Sequence, residues 1–121
     1  MPTNTGPIDP AQPVDINIVG LTPHVVTYVL WQRDPAQDDW TEVGEGHTGD
    51  NVPDHCAVRA VSGSQIYYWL GIGNPKMPRS VYNVLLTVGQ GGQRLAGGSI
   101  LVNGTTNSQG NDSVEDWINL L

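Results

Sequence analysis

The segment GHTGDNVPDHC carries the densest set of groups able to do chemistry: His47, Asp50, Asp54, His55 and Cys56. Imidazole, carboxylate and thiolate all bind zinc. A metal site here would take His47 and His55 with Asp50 or Asp54, and would make a metal-dependent enzyme of the His47–His55 loop. The spacing fits no established metal motif, however. A strand through this segment also sends His55 and Cys56 to opposite faces. Asp50 and Asp54 have a plain structural use as turn formers. No cofactor is therefore expected, and this loop is the one candidate for a metal.

Nucleophilic catalysis is no better supported. Ser62 and Ser64 flank Gly63, but no Gly-x-Ser-x-Gly elbow surrounds either. Cys56 falls in line with Val58 and Ala60 on an expected inward face, the ordinary fate of an unpaired cysteine. The acids Asp34, Asp38, Asp39, Glu42 and Glu45 lack the ligand order of a calcium loop. The adjacent pairs Asp38-Asp39 and Glu115-Asp116 suit solvated turns and faces. The chain is not expected to be an enzyme.

Charge narrows the partners. The 121 residues include 12 acids and 5 bases, for a formal net charge of -7. Arg33, Arg59, Lys76, Arg79 and Arg94 cannot neutralise a run of phosphates, which disfavours nucleic acid and anionic membrane surfaces. The single Cys56 excludes an internal disulfide. The opening MPTNTGPIDPAQP has neither a basic nor an apolar signal region, so a cytoplasmic location at synthesis is expected unless another route exports the protein. No run approaches the roughly 18 apolar residues of a membrane span.

The elements that must position these groups are short and β-rich. Residues 1–13 read as a flexible lead-in and 14–121 as a single domain. Alternating or apolar runs follow at 14–20, 25–32, 40–45, 55–61, 64–73, 81–89 and 94–104, punctuated by Gly and Pro. Gln90-Gly91-Gly92-Gln93 is a hairpin signal, and Gly97-Gly98 marks a bulge. About seven strands at this spacing predict a two-sheet antiparallel sandwich of immunoglobulin-like architecture. In NDSVEDWINLL, the spacing of Val114, Trp117, Ile118 and Leu121 predicts a short C-terminal helix, with Asp112 and Glu115 placed as a capping box.

Two of these strands break the usual rule of one wet face. Val26, Tyr28 and Leu30 belong inward, as do Ile66, Tyr68, Leu70 and Ile72. The opposite positions hold Val25, Thr27, Val29, Trp31, Tyr67 and Trp69, a set that is hardly more polar. The lead-in, the loop 74–79 or the C-terminal helix with Trp117 could cover this second face. A second copy of the chain is expected to bury part of the Val29, Trp31, Tyr67 and Trp69 surface, giving a homo-oligomer and most simply a dimer. The remaining occupant is a ligand. Flat aromatics suit sugar C–H faces, with acids and amides supplying directional hydrogen bonds. Trp40, beside Asp38 and Asp39 at a turn, is the best single platform. The expected function is a non-enzymatic binding module, carbohydrate-binding through Trp31, Asp38, Asp39, Trp40, Tyr67 and Trp69. The alternative is a structural or protein-interaction subunit without a small ligand.

Overall fold

Alternation of apolar and polar residues decides the architecture. The computed structural model describes residues 2–121, which form β1 (Thr3–Thr5), β2 (Val14–Gly20), β3 (Val25–Arg33), β4 (Thr41–Thr48), β5 (Asp54–Val58), β6 (Gln65–Gly73), β7 (Val81–Gln90), β8 (Gln93–Thr105) and β9 (Asn111–Leu120). A five-stranded sheet runs β1-β9-β6-β3-β4 and a four-stranded sheet runs β5-β2-β7-β8. All pairings are antiparallel except β1 with β9. The result is an all-β, sandwich-like fold with no helix among the described residues.

The core lies between the sheets. Ile16, Ile18, Tyr82, Val84, Leu86 and Val88 meet Val26, Tyr28, Leu30, Ile66, Tyr68, Leu70 and Ile72, all at most 3 % exposed. These are the inward positions that alternation predicts. Gly91 and Gly92 close the β7–β8 hairpin with φ of 58° and 79°, the two left-handed residues of a type I′ turn. The register slips between Thr87 and Gly89, so Leu95–Gly98 bulges at the glycines. Gly97 there takes a positive φ, and a side chain on it would strike the Asn4 carbonyl of β1.

The expected C-terminal helix is corrected: residues 111–120 form β9, paired with β6 from Gln65↔Asn119 to Gly73↔Asn111. The inward positions are Asp112, Val114, Asp116, Ile118 and Leu120. Two acids among them hide the period of two, leaving a chance helical spacing visible. Asp112 is accommodated because the Tyr82 hydroxyl donates to it at 2.5 Å, and Asp116 lies opposite Tyr68. Two turns of helix are marginal alone, whereas the strand pairs on both edges. Part of the lead-in is also built into the fold. Thr3–Thr5 pairs with β9, Gly6 N–H donates to Ala96, and Ile8 N–H to Leu121.

The two sheets share one plan. Raising β2, β3, β4 and β5 by four gives β6, β7, β8 and β9, and this exchange converts the order β5-β2-β7-β8 into β9-β6-β3-β4. Registers within each unit agree as well. Ile18 pairs with Asp54 as Ile72 pairs with Asp112, and Tyr28 pairs with Gly46 as Tyr82 pairs with Gly104. Gly46, Thr48 and Asp54 recur at identical spacing as Gly104, Thr106 and Asp112. In each unit the glycine makes room for the tyrosine hydroxyl, which reaches an aspartate of the opposite sheet. The chain thus contains two copies of one four-strand unit, with β1 added at the edge.

Candidate functional site

The outward face of the five-stranded sheet gathers the aromatics. Register places Trp31 opposite Tyr67 and Tyr67 opposite Trp117, so three rings form a row across β3, β6 and β9. Val29, Trp69 and Glu115 form the next row, extended by Glu45 on β4. The third row is Arg33, Gln65 and Asn119, with Asn4 of β1 beyond. All four tryptophans of the chain belong to this side, because Trp40 folds onto it from the turn before β4.

Trp40 is held by a short loop. Gln37 N–H donates to Asp34 O at 3.0 Å, and Ala36 takes a φ of 70°, which costs an L-residue about 1–2 kcal/mol. Asp34 Oδ1 anchors the loop base by accepting from Gln32 Nε2 at 2.7 Å and from Ser64 Oγ at 2.6 Å. The Trp40 ring then packs 5.8 Å from Tyr67, tilted 58°, and the Arg33 guanidinium lies 4.6 Å from its centroid. Trp31 is 5.4 Å from Tyr67 at the same tilt. These three rings line an open hollow of about 230 Å³. Trp40 and Trp117 stay 37 % and 38 % exposed.

The Tyr67 hydroxyl donates to Glu115. That bond, followed by burial and the carboxylate charge, pushes the phenol up to about 12. Tyr67 therefore stays neutral, with its ring fixed from β9. Trp69 reaches over Gly71, where a Cβ would come within 2.5 Å of the indole. The polar row is continuous: Arg33 donates to Gln65 Oε1 at 2.7 Å, Gln65 Nε2 to Asn119 Oδ1 at 2.9 Å, and Asn119 Nδ2 to Asn4 Oδ1 at 3.0 Å.

Of the residues singled out from sequence, Trp31, Trp40 and Tyr67 come together, with Trp69 one row away. Asp38 and Asp39 are exposed in the turn before Trp40. Among the described residues, none of the three expected covers closes this face. The tail extends the sheet and adds Trp117 to the row. The loop 74–79 is tied to the sandwich end, where Asn74 N–H donates to Gly110 and Arg79 N–H to Asn107.

The candidate metal residues do not converge. His47 shares the outward face of the five-stranded sheet opposite Thr27, while His55 lies outward on the other sheet, its Nε2 3.1 Å from Asp15. Asp54 points inward to Tyr28, Asp50 sits in the turn at a φ of 53°, and Cys56 packs inward with Sγ 3.5 Å from Val43 O. Among the described residues no group of three His, Cys, Asp or Glu side chains is placed to hold a metal ion.

Sequence reasoning missed Trp117, Arg33, Gln65, Asn119 and Glu115. A signal existed: Trp31-x-Arg33 and Trp117-x-Asn119 run aromatic to polar, while Gln65-x-Tyr67 runs polar to aromatic. On antiparallel neighbours these triplets align into one aromatic and one polar row. No family model, no curated protein and no solved structure matches the chain.

Proposed function

We propose that the protein is a non-enzymatic carbohydrate-binding module whose site is the outward face of the five-stranded sheet. One observation carries this: the aromatic row is confined to one of two sheets built on the same plan. The equivalents of Trp31, Trp69 and Trp117 in the other unit are Leu85, Asp15 and Arg59. The repeated tyrosine, glycine, threonine and aspartate show what the architecture requires, and outward-facing tryptophans are not among it. Open indole and phenol faces match the C–H faces of sugar rings, and flanking amides and acids match their hydroxyls. The immunoglobulin-like class belongs to this proposal and rests on two packed antiparallel sheets.

A homodimer through this face is the weaker alternative. Asp38, Asp39, Glu42, Glu45 and Glu115 surround the rings, with Arg33 the cation among them, so a second copy would set acid against acid. A glycan array probed with labelled protein tests the proposal, with light scattering alongside. Saturable binding to a sugar class, lost in Trp31→Ala, supports it. An empty array with a dimeric mass that Trp69→Asp dissociates establishes the interaction-subunit alternative instead.

A further inference from the structure

We infer that the ligand is an uncharged linear glycan lying across the strands from β3 toward β1, each ring on an aromatic and its hydroxyls along the polar row. This rests on the carbohydrate proposal and adds orientation, length and charge. The direction follows from register: Trp31, Tyr67 and Trp117 lie on successive strands, and the Trp31 and Tyr67 ring centroids are 5.4 Å apart. That step is close to the advance of an extended pyranose chain per ring, so the row offers about three subsites.

The polar row runs parallel to it, two residues along each strand. Its amides point one way, each accepting from the previous neighbour and donating to the next. A carboxamide has two N–H donors and two acceptor lone pairs. Gln65 and Asn119 each spend one of each within the row, which leaves an N–H and a lone pair apiece. A pair of neighbouring ring hydroxyls, one donating and one accepting, is the complement of that remainder. Charge sets the final limit: five carboxylates against Arg33, whose guanidinium is committed to Gln65 and Trp40, repel a uronate or sulfated chain.

Calorimetric titration with β-1,4-linked glucose, mannose and N-acetylglucosamine oligomers of one to six rings, and with galacturonate oligomers of matched length, tests this. Affinity for one neutral series is expected to rise with each ring up to about three and then level. Galacturonate should bind at least about tenfold more weakly, the gap narrowing with salt. Gln65→Ala should lose about three- to tenfold, the value of one neutral hydrogen bond. Trp117→Ala should abolish the gain from the last ring. Matching unfolding midpoints establish that both variants fold, and the length series needs no variant. Single-ring binding as tight as six-ring binding, or uronates binding as well as neutral chains, overturns the inference and leaves the carbohydrate proposal standing. An array with no saccharide hit overturns both.

Discussion

The Tyr28 hydroxyl donates a 2.5 Å hydrogen bond to Asp54 Oδ2, joining β3 of one sheet to β5 of the other. Tyr82 and Asp112 repeat the bond between β7 and β9. Removing the donor leaves a partly buried carboxylate without its partner. Tyr28→Phe is expected to cost about 1–3 kcal/mol in urea unfolding. The two bonds share no partner, so the Tyr28→Phe, Tyr82→Phe double variant should lose nearly the sum.

The buried tyrosines set the alkaline limit. Burial first, and the bonded aspartates second, raise the Tyr28 and Tyr82 phenols above the ordinary 10.0, and burial with Asp116 nearby pushes Tyr68 up to about 12. The folded chain therefore holds these protons to higher pH than the unfolded chain. Their stabilisation is complete below pH 10 and is lost as pH rises through the raised folded values. Urea midpoints taken from about pH 9 to 12 should fall steadily, and less steeply in Tyr82→Phe.

Two small substitutions should move stability in opposite directions. At Gly46 a Cβ would strike the Asp54 carboxylate and the Tyr28 hydroxyl. Gly46→Ala should therefore cost about 1–3 kcal/mol, as overpacked cores do. Ala36 sits in an exposed turn at a φ of 70°. Ala36→Gly there should be neutral or stabilising by up to about 1 kcal/mol, since relief of strain offsets the added chain entropy. Thermal unfolding of the pair checks both signs.

The interior was legible from sequence because the inward positions Val14, Ile16 and Ile18, Val26, Tyr28 and Leu30, Ile66 through Ile72, and Tyr82 through Val88 are apolar at every second residue. The last strand was not, because its inward positions include Asp112 and Asp116, acids that make sense only beside Tyr82 and Tyr68. Trp117 was misplaced with it. Half of the proposed site followed from Trp31, Tyr67 and Trp69, aromatics at positions where a wet face is the rule. The polar row stayed hidden because Arg33, Gln65, Asn119 and Asn4 are ordinary surface residues until register brings them side by side.

Trp117→Ala should separate binding from folding. Its indole is 38 % exposed, so its loss should cost less than about 1 kcal/mol. The neighbouring Ile118 is fully buried, and Ile118→Ala should cost about 2–5 kcal/mol. Denaturant midpoints of the two variants test the strand assignment of β9, since the predicted helix would have buried both residues on one stripe.

The most direct test of the proposed site is a ¹⁵N–¹H correlation spectrum recorded while the best neutral oligosaccharide hit is titrated in. The indole N–H signals of Trp31, Trp40 and Trp117 and the side-chain amides of Gln65 and Asn119 should shift together and saturate. The backbone signals of Asn17 and Thr87, on the outer face of the other sheet, should stay in place. Indole and amide signals that do not move at saturating ligand, or shifts centred on the four-stranded sheet, would contradict a binding site on the aromatic face.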